Sequence, residues 1–592
     1  MAIFAMGWQK PDNVAGSSAP AIMVGLFVAT GGLLFGYDTG AINGILAMKS
    51  FKDHFSTGYI DGNGQPGIYP KESALIVAML SAGTAIGALL AAPLGDHFGR
   101  RRSLIGAIGI FVIGAILQVC AHNIDLLVAG RTVAGVGVGI TSVLVPLYQS
   151  EMAPKWIRGT LVCTYQLSIT MGLLAAAVVN IFTYKLKSAA AYRVPIGLQL
   201  TWACVLALGL TVLPETPRYL IKRGDKNAAA LSLSRLRRLD ITHPALVEEL
   251  AEIEANHQYE MALGPDSYKE ILFGEPHLGR RTFTGCCLQM LQQLTGVNFI
   301  MYYGTTFFNN AGVGNPFKIT LIMQVINTAS TIPGLFVVES WGRRRLLMVG
   351  AIGMAICQLL IAAFATASGS NNLSAQNKVL ITFVAIYIFF FAASWGPVVW
   401  VVTSEIYPLK VRAKSMSIST ASNWFLNFGI AYGTPYMQTN SATSDESSID
   451  LGSKVFFVWG AFCIVAVGFV WCMVYETSKI SLEQIDEMYE RVDHAWHSRR
   501  FEPSWSFQEM RDFGFSDSGI PPTQQQQQQQ PPPPPPPPPQ QQHHPLQVEL
   551  QQSQSRTSNA STSQTDTGGS NNTGASQDDK LVASLGNIDL SY

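Results

Sequence analysis

The chain has 592 residues, 48% of them hydrophobic and only 13% charged, where a soluble protein carries roughly 25% charged residues. Its apolar residues fall in long runs, which excludes a string of soluble domains, and its 39 basic and 39 acidic residues cancel, which removes any global pull toward nucleic acid or anionic surfaces. The eight cysteines lie inside or beside apolar runs with no CxxC spacing and no histidine at zinc-ligand distance. Neither a disulfide framework, a metal site nor a cofactor is expected, and the adjacent Cys286 and Cys287 read as small hydrophobes with no role.

Residues 1–19 lack the basic start, short apolar core and small-residue cleavage site of a signal peptide, and are expected to be a cytosolic N-terminus. Twelve apolar runs follow, at 20–40, 73–94, 103–121, 125–147, 160–183, 195–213, 281–303, 317–338, 345–365, 378–402, 411–436 and 454–475. Each is long enough as a helix to cross about 30 Å of hydrocarbon. The expected fold is therefore all-α and integral to the membrane, with an N-terminal six-helix half at 20–213 and a C-terminal half at 281–475. Between them, 214–280 is hydrophilic, and its stretches Ala228 to Leu239 and Leu246 to Ile253 have helical apolar spacing. Beyond the last run, 476–497 holds an amphipathic piece marked by Leu482, Ile485 and Met488. In 498–592 a glutamine run, Gln524 to Gln530, abuts a proline run, Pro531 to Pro539. Such a composition cannot bury enough apolar surface to fold alone, so a disordered tail is expected.

Lysine and arginine in the short loops set the orientation. Arg100, Arg101 and Arg102, then Lys155 and Arg158, then Arg343, Arg344 and Arg345, then Lys410, Arg412 and Lys414 all fall on one side, which is read as cytosolic together with both termini. Lys185, Lys187 and Arg193 fall on the other side and argue mildly against this. The sequon at Asn372 would then face outward.

The two halves echo each other. Gly95-Asp96-His97-Phe98-Gly99-Arg100-Arg101 after the second run matches Glu339-Ser340-Trp341-Gly342-Arg343-Arg344 after the eighth. Glu151, Pro154 and Arg158 match Glu405, Pro408 and Arg412 at one common offset. The positive-inside rule accounts for the arginines but not for the placed acids and glycines. An acid at one helix end facing arginines of a neighbouring loop makes an ion-pair latch at the cytosolic face, and two halves rocking about a midplane site are the architecture of an alternating-access carrier. There is no GxxxxGK[ST] loop to suggest a pump, and Gly135-Val136-Gly137-Val138-Gly139 lies inside an apolar run, where close helix packing is its expected use.

Polar residues inside membrane spans are costly and usually face a cavity. Here they are amides and indoles: Gln166, Gln292, Gln293, Asn298, Asn327, Trp400, Asn423, Trp424 and Asn427. Amides pair donors and acceptors with neutral hydroxyls, and aromatic faces suit the C–H surface of a sugar ring, so a neutral polyol fits better than an ion or amino acid. Hydrogen bonding between helices is the bland alternative, worth about 0.6 kcal/mol on average. Asp38 and Arg131 are the deepest charges of the first half. An aspartate in hydrocarbon must pair or take up a proton, so withdrawal of Arg131 would couple proton uptake to conformation; a static structural pair is the other reading.

Pro214-Glu215-Thr216-Pro217-Arg218, Gln292-Gln293-Leu294-Thr295-Gly296, the paired Gly-Arg-Arg loops and the stretch Pro146 to Gly159 together resemble the sugar porter family of the major facilitator superfamily over roughly residues 20 to 490. Within it the chain looks closest to fungal glucose and hexose carriers, and to the glucose transporter or sensor type of filamentous fungi associated with conidiation. The resemblance implies the major facilitator fold and hexose binding by Gln166, Gln292, Gln293, Asn298, Asn327, Trp400 and Asn423. It also implies proton coupling through Asp38 and Arg131 where the carrier is a symporter; Asp38 is equally compatible with facilitated diffusion. Ala392 stands where mammalian facilitators have an acidic residue, so the details of their extracellular gate do not transfer.

Two functions are open. One is a plasma-membrane carrier of glucose or a related hexose, with no covalent chemistry, latched by Asp96, Arg100, Arg101, Glu151 and Arg158 in one half and by Glu339, Arg343, Arg344, Glu405 and Arg412 in the other. The other is a glucose receptor of the same fold, read by a cytosolic partner docking SH3- or WW-fashion on the proline-rich tail. A channel is disfavoured because no carbonyl-lined filter motif and no ring of intramembrane acids is present.

Overall fold

The computed structural model describes residues 15–60, 66–262, 268–274, 277–310, 315–367, 373–438, 454–478, 480 and 482–501. The glutamine and proline runs, nearly all of the expected tail and the sequon at Asn372 lie outside these residues. Among the described residues the regular structure is helical, apart from an isolated bridge between Ile60 and Pro66.

Ten described helical segments are long and apolar enough to cross a bilayer. The first is α1 (Ala19–Ala29) joined at Thr30 to α2 (Gly31–Ile45), followed after the short α3 (Lys49–Phe55) by α4 (Pro70–Phe98), α5 (Arg100–Val119), α6 (Ile124–Met152), α7 (Arg158–Thr183) and α8 (Ala190–Val212). The two expected runs outside the ten are also helical but less apolar because they carry the amides. Run 281–303 is α13 (Leu278–Leu294) and α14 (Val297–Asn310), broken at Gly296, whose φ of 82° suits glycine and whose missing side chain leaves room for the Trp459 ring. Run 411–436 is α19 (Leu409–Gln438). The second half is completed by α15 (Pro316–Trp341), α16 (Arg343–Ala367), α17 (Leu373–Phe390), α18 (Gly396–Glu405) and α20 (Val455–Met473). The chain thus has the major facilitator fold, with twelve spans in two six-helix halves.

Several helices outrun the apolar stretches that mark them. Asn123 accepts from Leu126 N–H at 3.0 Å, Asn315 caps α15 on Phe317 and Lys318, and Pro70 and Pro316 open their helices where a missing N–H costs nothing. The halves are knit by backbone proximity. The 135–139 glycine run lays α6 against its neighbours so closely that a Cβ at Gly135 or Gly139 would strike the Leu80 or Thr84 carbonyl of α4, and one at Gly137 the Ala107 carbonyl of α5. Across the halves, α4 packs on α19 and α7 on α15.

The segment between the halves forms α9 (Pro217–Lys222), α10 (Lys226–Arg237), α11 (Pro244–Ala262) and α12 (Glu270–Phe273). Both stretches with helical spacing are helices, though the first ends at Arg237, since Arg238 turns left-handed at φ 51°. Beyond α20, α21 (Leu482–Arg491) buries Ile485, Met488 and Tyr489 against Tyr475 and Ala495. A short 3-10 turn, Ala495–Arg500, leads to Phe501, so the described residues run past the expected start of the tail at 498. It is held because Ser498 Oγ accepts from Glu476 N–H at 2.9 Å and Tyr475 donates its hydroxyl to the Val492 carbonyl at 2.7 Å.

Candidate functional site

The break in the seventh span and a π-helical turn in the tenth, Phe391–Trp395, face each other and create the centre of the molecule. Breaking a helix frees carbonyls that hydrocarbon cannot satisfy. Thr295 O is therefore taken by Gln358 Nε2 at 2.7 Å and by the Tyr387 hydroxyl at 2.9 Å, and the π-turn carbonyls of Trp395 and Gly396 by Gln292 Nε2 at 2.9 and 3.1 Å. π-turns inside helices recur at functional sites.

A cavity lies between the halves. Gln166, Gln292, Gln293, Asn298, Asn327, Trp400 and Asn423 all line it, together with Phe35, Tyr165, Trp424 and Asn427. Gln289, Gln292 and Gln293 fall on one face of α13 by their i, i+3, i+4 spacing. Asn423 Nδ2 donates to Gln289 Oε1 at 2.7 Å and Gln292 Oε1 at 3.0 Å, while its Oδ1 accepts from Gln293 Nε2 at 2.8 Å. Gln293 Oε1 in turn accepts from Asn298 and from Asn427 Nδ2, the latter at 3.1 Å. Asn427 carries the network into the first half, accepting from Ser81 Oγ at 2.7 Å and Tyr302 at 3.0 Å. Asn327 Oδ1 is buried with no protein partner among the described residues, an acceptor available to the cavity.

Aromatic rings close the cavity from both halves. Trp400 meets Tyr165 edge-on at 5.5 Å, Trp424 meets Phe35 at 4.8 Å, and Trp424 Nε1 donates to Ser142 Oγ at 3.2 Å. The absent Cβ of Gly396 makes room for the Gln166 amide. No charged residue is among those lining the cavity, so the arrangement can bind a neutral molecule by multiple hydrogen bonds and ring stacking.

Asp38 and Arg131 are brought together outside the cavity lining, with Oδ2 and Nη2 3.3 Å apart and both side chains nearly excluded from solvent.

At the arginine-rich end the repeat becomes two equivalent clusters, one centred on Arg100 and one on Arg343. Arg100 donates to Glu151 Oε1 at 3.1 and 3.2 Å and to Asp96 at 3.2 Å. Arg343 donates to Glu405 at 2.9 and 3.2 Å and to Glu339 at 2.8 and 3.1 Å. The glycines explain the rest of the motif. Gly99 and Gly342 have φ of 92° and 89°, and a Cβ on either would strike the carboxylate of Glu215 or Glu476. Those two acids cap the helices that start with arginines, Glu215 taking the N–H groups of Arg100 and Arg101 and Glu476 those of Arg343 and Arg344. A carboxylate at a helix N-terminus offsets the unfavourable meeting of basic side chains with the positive end of the helix. Burial pushes both carboxyls above their ordinary 4.5, against the pull of these N–H groups.

Arg101 also donates to the Leu213 carbonyl and Arg344 to that of Trp471, each bracing its half. Arg412 donates to the Tyr407 carbonyl at 2.9 and 3.0 Å, and Arg158 lines a crevice beside Glu151. Arg100 and Arg343 thus pair with acids of their own halves, and further contacts bridge the halves. At this end Thr160 Oγ1 donates to Leu335 O at 3.2 Å, Ala92 N to Ser417 Oγ at 3.1 Å, and Gly159 presses on Glu339 and Arg343 so that a Cβ would collide with both. At the opposite end Thr305 N donates to Asn43 Oδ1 at 3.1 Å and Phe317 stacks on Tyr184 at 4.4 Å.

Glu215 and Glu476 were not among the expected latch residues, although each is followed by a threonine in the sequence. Thr216 and Thr477 donate to Oε2 of Glu151 and of Glu405 at 2.6 and 2.7 Å, so the Glu-Thr pair is a third element of the repeat. Gln289 was also missed, though its spacing to Gln292 and Gln293 marks it.

Two six-helix halves that meet at both ends around a neutral, amide-lined cavity define a membrane carrier of the major facilitator type. Residues 24–489 match the family described as "Sugar (and other) transporter", and the chain belongs to that family. Over its full length it is 95% identical to the whole of a Neurospora crassa protein named "Probable glucose transporter rco-3". It is 41% identical over 81% of its length to 62% of the Saccharomyces cerevisiae "High glucose sensor RGT2", and 36% identical over 84% of its length to 86% of that yeast's "Low-affinity glucose transporter HXT3". Among solved structures, the proton:xylose symporter XylE bound to 6-bromo-6-deoxy-D-glucose superposes with a TM-score of 0.69 at 28% identity, covering 80% of this chain and all of that one.

Proposed function

We propose that this protein carries glucose or a closely related hexose across the plasma membrane by alternating access, with both termini and the arginine-rich end in the cytosol. The observation that carries the reading is the convergence of Gln166, Gln292, Gln293, Asn298, Asn327, Trp400 and Asn423 from both halves on one uncharged cavity. Hydroxyls of the sugar pair with these amides, and the Trp400 indole packs on its apolar face. The boundaries read from the sequence, 20–213 and 281–475 for the halves with 214–280 between them, serve as the moving parts. The Arg100 and Arg343 clusters stiffen each half at the cytosolic face, and the seam at Gly159, Thr160 and Ala92 opens and closes. Asp38, facing Arg131, takes up the coupled proton when the arginine withdraws. The named relatives from Neurospora and yeast support glucose as substrate, and the XylE likeness supports the coupling.

Purified protein in liposomes preloaded with glucose tests this by counterflow. Tracer glucose accumulates transiently in the account given, with an imposed inward proton gradient driving net uptake; absence of counterflow from correctly folded protein refutes it.

A second reading, glucose receptor, is favoured by the link from the latch to the tail. Ser498 holds the backbone of Glu476, whose carboxylate caps Arg343, so a change at the latch reaches the chain just before the tail. A partner reading the proline-rich stretch would receive it, and the 41% identical yeast protein is named a sensor. A transcriptional response to glucose that disappears when the chain ends after Phe501 supports this reading.

A further inference from the structure

The break in the seventh span is held from outside the sugar cavity. In a continuous helix Thr295 O would accept from Phe299 N–H, four residues on. Here Phe299 N–H goes to Gly296 O at 3.2 Å, and the freed Thr295 carbonyl accepts from Gln358 Nε2 of α16 at 2.7 Å and from the Tyr387 hydroxyl of α17 at 2.9 Å. Both donors are fully buried, and neither lines the cavity. A polar side chain inside a span is costly, and Gln358 spends its whole amide here: its Oε1 accepts from Cys463 Sγ at 3.4 Å on α20, the helix whose Trp459 ring occupies the space beside Gly296.

The break decides where Asn298 points. On a regular helix, residues five apart lie about 140° round the axis from each other, so an unbroken span would turn Asn298 off the face that Gln289, Gln292 and Gln293 share. With the break, Asn298 Nδ2 donates to Gln293 Oε1 and lines the cavity beside it.

We propose that Gln358 and Tyr387 are positioning residues for sugar binding: by occupying the Thr295 carbonyl they keep the seventh span broken and so hold Asn298 on the amide network. The inference rests on the hexose-binding reading of the cavity. A carbonyl oxygen has two lone pairs, and one donor is enough to satisfy it, so each residue backs up the other. With both donors gone, the buried oxygen is left to the Phe299 N–H of its own span. Reaching that N–H closes the break and carries Asn298 away from Gln293.

The test is the affinity of the purified full chain in nanodiscs for glucose, measured by titration calorimetry for Gln358→Met, Tyr387→Phe and the two combined, with uptake and surface level followed in cells. Each single change is expected to weaken binding by less than about threefold and the pair by at least about fivefold, the lower end of what an unsatisfied buried acceptor costs. In an Asn298→Ala background the pair should weaken binding no further, because the two donors act through Asn298; a role in folding alone would lower the melting temperature of the pair and leave its affinity as it was. If the pair does not give folded protein, Gln358→Asn with Tyr387→Phe, which keeps a polar amide too short to reach Thr295, takes its place. Glucose binding without uptake by the unaltered chain contradicts the carrier reading and leaves these comparisons in force, whereas no glucose binding by it overturns both. Unchanged affinity in the pair, or a loss just as large without Asn298, overturns the proposal.

Discussion

Replacing Gln293 with alanine removes the amide on which three others meet. Its Oε1 accepts from Asn298 and Asn427 and its Nε2 donates to Asn423 at 2.8 Å. Because the side chain faces the cavity and is 6% exposed, the loss falls on recognition rather than on the lipid-facing packing that governs insertion, and water can enter the space left behind. A neutral hydrogen bond to the sugar contributes about 0.5–1.5 kcal/mol. Losing the fixed orientation of Asn298, Asn423 and Asn427 adds a similar amount, for a total of about 1–3 kcal/mol, or roughly 5- to 150-fold in affinity. The assay is concentration-dependent uptake of labelled glucose, corrected for the amount of protein at the cell surface. The expected result is a rise in KM of at least about fivefold with normal surface level. A well-localised Gln293→Ala carrier with unaltered KM would refute the assignment of the amide network as the sugar site.

Three further outcomes follow from the geometry. Asp38→Asn is expected to abolish uphill, proton-linked accumulation while sparing downhill exchange; unchanged accumulation in a proton-gradient assay removes Asp38 from the coupling. Arg343→Ala leaves Glu339 and Glu405 without their buried counter-charge, and loss of one side of a buried pair costs about 3–5 kcal/mol. Its melting temperature in detergent should therefore fall well below that of Arg345→Ala, an exposed neighbour, and equal melting would count against a buried latch. The buried carboxyls of Glu215 and Glu476 hold their protons to higher pH in the folded chain than at their ordinary value of 4.5. Their contribution to stability is thus fully present below pH 4.5 and is lost as pH rises through the folded values. Melting curves of Glu476→Gln should fall less steeply with pH in that window than those of the unaltered chain, and identical slopes would contradict the burial argument.

Much of the fold was legible because hydrocarbon imposes its length on the sequence, and ten of the twelve runs satisfy that demand outright. The other two, carrying Gln289 to Asn298 and Asn423 to Asn427, are less apolar for the reason that makes them informative: their amides face a cavity rather than lipid. The seven expected cavity residues stood out as amides and an indole inside spans, although Gln358 and Asn43 show that a buried amide can equally serve a backbone group. The positive φ at Gly296 and the π-turn at Phe391–Trp395 were not legible, because both depend on partners distant in the chain, the Trp459 ring for one and Gln292 for the other. The Gly-Arg-Arg repeat announced that acids and arginines pair but not which pairs form. Only the three-dimensional arrangement places Glu151 and Glu405 on the arginine of their own half and leaves Gly159 and Thr160 at the seam. The 3-10 turn Ala495–Arg500 was hidden because its anchors are a serine hydroxyl and a tyrosine hydroxyl, which carry no periodicity.

The central claim is that the cavity moves sugar across the membrane. Labelled glucose uptake in a cell lacking its own hexose carriers, comparing the full chain with one ended after Phe501, tests it most directly. Saturable uptake by both forms, with alkalinisation of the medium where protons accompany the sugar, is the predicted result; surface expression of both forms with no uptake by either would contradict it.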